Sequence, residues 1–382
     1  MKRRHVLAIF ILLVGGYILA WHLSPARELN YLVIDKTVPG TDYREHRAIF
    51  WVAEHRRFTD QEGRFLRADR DYLGYHPASG AEDTLNDEDL EGIELLYLAD
   101  TYGIYDYEEG LYVYEERLPY QAQDIELLYG GFDSHEVNTI NRFAGSSGNF
   151  LIGEHNIFGY PTYLDPQAAL SLQDIFAVSY SGWLIRYYEN LDEMAFWMKE
   201  LYTRIYGIDW DLEGAGMVFV REDHAPSGWN TDLIIVQQEH FDSPWPVIIN
   251  GEHELLDGAN SGVPYLYWLE VLEVDQGAEV LAYYELPIKE EAREALRIRG
   301  LPERFPAAVY YNAGDGAERL YFAGDFADQL PALLPACMTG SASIQRFFSY
   351  IPGIPVQYRF YFQWYEPVLH NIFDSMNNQE QP

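Results

Sequence analysis

Four short apolar runs in the first half of the chain each stop at a charged or polar cluster. Leu29–Ile34 stops at Asp35-Lys36, Ile93–Ala99 at Asp100-Thr101-Tyr102, Ile125–Tyr129 at Gly130-Gly131, and Asn149–Gly153 at Glu154-His155-Asn156. If the runs are parallel strands, all four clusters share the carboxyl edge of one sheet, where open α/β folds bind ligands. Asp35, Asp100 and Glu154 are then the candidate catalytic residues, since two carboxyl groups a few ångströms apart can serve as acid and base on a glycosidic bond. Lys36, Arg44, Tyr102, Asn156, Arg186 and Asp325 are the candidate ligand-binding residues. Tyr102, Trp183 and Tyr187 offer flat faces on which a sugar could stack. The competing structural reading has Asp35 and Asp100 capping loops or pairing with Lys36 and Arg44, a common role for carboxylates at strand ends.

Other chemistries find less support. No H-x-H or H-x-x-x-H pair occurs, so no metal site and no cofactor is expected. No G-x-S-x-G elbow is present, and Gly130-Gly131 lacks the spacing of a phosphate loop. The single cysteine, Cys337, excludes an intrachain disulfide. It sits in Pro335-Ala336-Cys337-Met338-Thr339, without the flanking glycines of a nucleophile turn.

The elements that must position these residues read as alternating strand and helix from 28 to 165. A helix is expected from Tyr43. Asp133 with Glu136 three residues on forms a capping box for another. Gly63 to Asn86 reads as polar and turn-rich, and Tyr102 to Tyr120 as an irregular excursion. Residues 166–343 start helical, at Gln167–Phe176 and Leu191–Tyr206, with an aromatic, tightly turned Tyr180–Tyr188 between. Strands dominate beyond Gly214, with a short charged helix at Glu290–Arg299. Residues 344–382 form an aromatic, helical tail. The expected fold is α/β: an open, mainly parallel sheet flanked by helices, flavodoxin-like or amidotransferase-like, with a strand-rich C-terminal half.

Several motifs carry a resemblance. The run Leu127–Asp133, then Gly153-Glu154-His155-Asn156 with Pro161-Thr162, and the late Tyr321–Asp325 resemble the class I glutamine amidotransferase fold. Asp35–Pro39 followed by Tyr43-Arg44-Glu45-His46 resembles uncharacterised bacterial membrane-anchored proteins carrying such a domain. Catalytic amidotransferases place a cysteine in a glycine-flanked elbow, and Cys337 departs from that pattern. The resemblance therefore implies a non-catalytic relative, without thiol glutaminase activity.

The N-terminus opens with Lys2-Arg3-Arg4 and an apolar run from Val6 to Leu23, about the minimum length of a membrane-spanning helix. The basic flank predicts residues 1–5 in the cytoplasm, a signal anchor at 6–23 and an extracytoplasmic domain at 28–343 on a single-pass membrane protein. The alternative is a signal peptide cut near Ser24-Pro25-Ala26. The net charge of −34 argues against nucleic acid as a partner. Tyr and Trp in a chain that is 16% aromatic suggest recognition surfaces if they are exposed. The combined expectation is a binding or assembly protein of the cell envelope, linked to membrane by its first helix and to polysaccharide or membrane-complex subunits. A carboxylate-based glycan hydrolase and a purely structural subunit are the alternatives.

Overall fold

The computed structural model describes residues 3–105, 127–222, 232–314, 316–328 and 334–379. The strands that matter, in chain order, are β1 (Tyr31–Asp35), β2 (Leu73–His76), β3 (Ala81–Glu82), β4 (Leu95–Leu98) and β5 (Phe150–Glu154). They are followed by β6 (Val178–Tyr188), β7 (Gly216–Arg221), β8 (Asp232–Gln237), β9 (Val247–Asn250) and β10 (Val263–Pro264). The last four are β11 (Trp268–Val274), β12 (Glu279–Glu285), β13 (Arg304–Tyr311) and β14 (Glu318–Phe322). Ten of them form one sheet in the order β10-β9-β12-β13-β14-β5-β4-β1-β2-β3. Pairing is parallel from β14 through β5, β4 and β1 to β2, and antiparallel everywhere else. A second sheet, β8-β7-β6-β11, is antiparallel throughout.

This corrects the expected fold class. The sheet is mixed, and a flavodoxin-like open parallel sheet is not what forms. The strand-rich half extends the parallel centre by antiparallel strands, because a short connection such as that from Tyr311 of β13 to Glu318 of β14 favours antiparallel neighbours. Individual elements also differ. Leu127–Tyr129 pairs with Ile104–Tyr105 in a separate two-stranded ribbon, so the third run is no part of the main sheet. Residues 125 and 126, and 106–120 of the supposed excursion, lie outside the described residues. The polar stretch at Gly63–Asn86 contains β2, a neighbour of β1. Tyr180–Tyr188 is no turn but most of the long β6, bulged between Tyr180 and Leu184.

Helices cover both faces of the parallel strands. Period-two alternation decides which side chain meets which helix. On β1, Tyr31 stacks on Phe373 of the C-terminal helix and Asp35 bonds His46 on Arg44–His55, whereas Lys36 turns to the other face, to Glu136 on Ser134–Ala144. On β5, Glu154 faces Tyr97 and Ala327, while a Cβ on Gly153 would collide with Phe176 of helix Pro166–Phe176. Strands buried on both faces must be apolar throughout, which is why β4 and β5 read as uninterrupted runs. The capping box is present: Asp133 accepts from Glu136 N, and Glu136 accepts from Asp133 N. Many tyrosines serve as core, with Tyr97, Tyr105, Tyr265, Tyr284, Tyr321 and Tyr365 fully buried, so the aromatic excess is largely packing.

The membrane anchor is also corrected. Among the described residues, no helix is long and apolar enough to cross a membrane. The N-terminal helix spans Arg3–Leu23, but its last turn belongs to the folded domain. Trp21 is buried, its indole N–H donates to His55 O at 3.1 Å, and the Arg57 guanidinium lies 4.5 Å from its ring. Tyr17 O also accepts from Thr339 N. The expected single-pass topology and membrane localisation therefore fall.

One buried ion pair ties the sheet to a helix. Lys36 Nζ lies 2.7 Å from Glu136 Oε2 and donates to Gly131 O at 2.6 Å, with both side chains almost wholly buried. Removing one partner leaves an uncompensated charge. Lys36→Met should cost about 3–5 kcal/mol by urea denaturation, and Lys36→Met with Glu136→Gln should recover much of it. Equal losses in the single and double variants would show that the charge is not what matters.

Candidate functional site

The carboxyl ends of β1, β4, β5 and β14 meet a belt of acidic side chains. Asp35 is fully buried. Its Oδ1 accepts from Thr37 N at 2.9 Å and its Oδ2 lies 2.6 Å from His46 Nδ1. His46 Nε2 donates to Ala68 O at 2.8 Å, which leaves Nδ1 to share a proton with Asp35. Burial pushes the Asp35 carboxyl up, against the pull of His46. Glu154, also fully buried, accepts from Tyr97 OH at 2.8 Å and from Ala327 N at 3.2 Å; Tyr97 OH in turn meets Tyr365 OH at 2.7 Å. Burial holds Glu154 well above the usual carboxylate range. Both residues are thus built into the interior.

Asp100 is different. It is only half-buried, accepts from Tyr102 N at 2.7 Å and from Asn156 Nδ2 at 3.4 Å, and is pushed up to about 8 by burial and then by the charges of Asp35 and Asp328. Asp325 lies in the same field, raised by burial and by Asp328, Asp100 and Glu154. Arg44 is spent on Asp328 at 2.7 Å and Glu45 at 3.1 Å, not on Asp35. Lys36 is likewise committed to Glu136. Arg186 stands over the rings of Tyr188, Tyr267 and Trp268 at 4.9, 4.7 and 5.2 Å.

Asn156 is where these groups converge. It has φ 64°, a left-handed conformation that asparagine adopts more readily than most residues. Its backbone N–H donates to Glu270 Oε1 at 2.7 Å and its carbonyl accepts from Thr101 Oγ1 at 3.0 Å. The side-chain N–H donates to Asp100, but Oδ1 is buried with no hydrogen bond among the described residues. A Cβ placed on Gly159 would lie 2.5 Å from that oxygen and 2.8 Å from Glu222 Oε2, so the glycine packs closely under both and leaves no room for a side chain. Next door, His155 stacks on Trp268 with ring centres 6.4 Å apart, and its Nδ1 is also buried and unpaired, 3.8 Å from Glu270 Oε1. Burial, then the Arg186 charge, lower His155 to about 3, so the ring is neutral.

The sequence pointed to Asp35, Asp100, Glu154, Asn156, Asp325 and Arg186 but missed Glu222, Glu270, Asp328 and Trp268. Glu270 arrives on β11, whose start is fixed beside β14 by Glu270 N donating to Ala323 O at 3.0 Å. Glu222 follows β7, and its Oε2 accepts from Tyr180 OH at 2.9 Å. Burial raises both to about 7. Trp183 and Tyr187, expected to stack on sugars, are buried in the core. Among the described residues, no group of three or more His, Cys, Asp or Glu is arranged to hold a metal. Cys337 is half-buried in a turn that His55 brackets, donating through Nδ1 to Ala336 O and accepting at Nε2 from Ala342 N, so that imidazole is committed to backbone. An open cleft of about 300 Å³ lies at the amino edge of β1, lined by Asn30, Tyr31, Asp60, Arg64, Asp71 and Tyr72.

No protein-family model matches this chain. No curated protein matches it either.

The raised carboxyls have a consequence for stability. In the unfolded chain they titrate near 4; folded, Glu270 and Glu222 titrate at about 7 and Asp100 at about 8. Between those values the native state holds protons the unfolded state lacks, so their contribution is complete below pH 4 and is lost as pH rises towards 8. His155, lowered, acts with the opposite sign below about 6.5. Comparing Glu270→Gln with wild type cancels that term. The variant should gain on the order of 1–3 kcal/mol relative to wild type between pH 5 and pH 8 in denaturant titrations. An unchanged difference across that range would show that Glu270 is not held neutral.

Proposed function

We propose that this chain is a binding protein whose site is the carboxyl edge around Asp100 and Asn156, and that its ligand is a neutral, hydroxyl-rich molecule such as a saccharide fragment. The observation that carries the reading is the orphaned Asn156 Oδ1. A buried amide oxygen without a donor costs about 1–3 kcal/mol, and a ligand hydroxyl in its place relieves that cost. Its surroundings fit such a ligand. Asp100, held largely protonated at neutral pH, both donates and accepts, as a sugar hydroxyl does. Tyr102, Tyr267 and Trp268 are half-exposed around the edge, with Arg186 over the Tyr267 and Trp268 rings. Arg44 and Lys36 are already paired with carboxylates.

Calorimetric titration of the full chain with maltotetraose, cellotetraose and chitotetraose tests this. At least one should bind, and Asn156→Ala should weaken it about tenfold, the worth of one hydrogen bond to a buried acceptor. Arg67→Ala, whose guanidinium pairs with Asp69 in an exposed loop, should bind as wild type does. Failure of all three sugars to bind at about 10 mM, a level that reaches the weakest specific sites, would overturn the reading.

A further inference from the structure

The chain carries 60 Asp and Glu, yet residues 1–27 and 329–365 contain none of them. These two stretches, far apart in sequence, pack together. Tyr17 O accepts from Thr339 N at 3.2 Å. His55 joins them, accepting from Trp21 Nε1 at its carbonyl and bonding Ala336 O and Ala342 N through its ring. The N-terminal helix Arg3–Leu23 meets the domain on one side only. From residue 11 to residue 23 its less exposed side chains are Val14, Ile18 and Trp21, the spacing of a single helical face. The other sides, which a surface helix fills with polar residues, show Ile11, Leu12, Leu13, Tyr17, Leu19 and Leu23, with Leu12 74% exposed. Just past the Thr339 contact, helix Ser341–Phe348 and the turn after it expose Phe347, Phe348, Tyr350 and Ile351, Phe347 to 70%. Monomeric proteins rarely leave so much apolar surface uncovered.

We infer that this acid-free, apolar face is an interface on which a second copy of the chain docks, the two N-terminal helices packing together about a two-fold axis. Charge decides the occupant. With a net charge of −34, two copies repel wherever their carboxylates face one another, and the acid-free stretches are where that repulsion is least. The same charge opposes docking on an anionic lipid surface. The face is also self-complementary, apolar against apolar, as an isologous contact requires. Gly15 and Gly16 lie on the exposed side of the helix with nothing within 4 Å of either Cβ position, so two helix backbones can approach closely there. The area is adequate. Ten large side chains exposed by 38% to 76% carry on the order of 600 Å² of apolar surface per copy, near the roughly 800 Å² that each partner of a stable dimer buries.

Sedimentation equilibrium of the full chain, from about 1 to about 100 µM, tests this. A single monomer–dimer equilibrium is expected. It should tighten as salt rises from about 20 to about 500 mM, because salt screens the repulsion between the two acidic bodies. Leu12→Glu and Phe347→Glu each set a carboxylate on both sides of the interface, at positions too exposed to matter for folding. Each should weaken the dimer about a hundredfold or more. Leu170→Glu, also at an exposed leucine but on helix Pro166–Phe176, should leave it unchanged. Should Leu12→Glu disturb folding, Phe347→Glu still decides. A chain that stays monomeric at about 100 µM in high salt overturns the inference, and flotation of that monomer with phosphatidylcholine vesicles would assign the face to lipid instead. Assemblies that grow without limit overturn the two-fold contact. A dimer untouched by both folded variants overturns the choice of face.

Discussion

The constraint that shapes this molecule is the cost of holding carboxyl groups out of water. Asp35, Glu154 and Glu270 are fully buried, with Glu45, Asp325 and Asp328 nearly so, and the cations close by are few. Charged oxygens cannot be kept so close in a medium of low dielectric, so the protein keeps protons on several of them and surrounds them with hydroxyl and amide donors. Tyr97, Tyr321, Tyr180 and the backbone N–H groups of Thr37, Tyr102, Asn156 and Ala327 all serve that end. Much of the unusual tyrosine content is explained here. A phenol brings a large apolar ring to the core and one donor to a buried carboxyl, which phenylalanine cannot do.

The second sheet follows from the same requirement. The carboxyl edge of a parallel sheet would ordinarily be open to solvent and hydrated. Here β11 crosses it and delivers Glu270, while Tyr267 and Trp268 lie over Arg186 and His155. The edge is thereby narrowed until Asp100, Glu222 and the aromatic rings are its solvent-reaching parts.

Legibility from sequence was uneven for physical reasons. Strands β1, β4 and β5 were readable because strands buried on both faces are apolar throughout, and Asp35, Asp100 and Glu154 were readable because they end those runs. The capping box at Asp133 and Glu136 was readable because it is local. Glu222 and Glu270 were not, because nothing in the sequence around them marks which distant edge their strands will cross. Strand β2 was missed in a polar segment since it is four residues long and its two buried positions are a glycine and a tyrosine. The length of the N-terminal apolar run was visible, but not that Trp21 would be drawn into the domain by His55 and Arg57. Tertiary contacts of that kind leave no periodic trace.

The placement of β14 has a consequence for how the chain is made. It lies at the centre of the ten-stranded sheet, hydrogen-bonded to β5, although more than 160 residues of sequence separate them. As the polypeptide leaves the ribosome, β1, β4 and β5 emerge long before their neighbour and present an unsatisfied apolar edge. The C-terminal helix that supplies Tyr365 and Phe373 to their other face comes later still. The interior therefore cannot close until residues 318–373 have been made, and until then the waiting strand edge is open to wrong pairing.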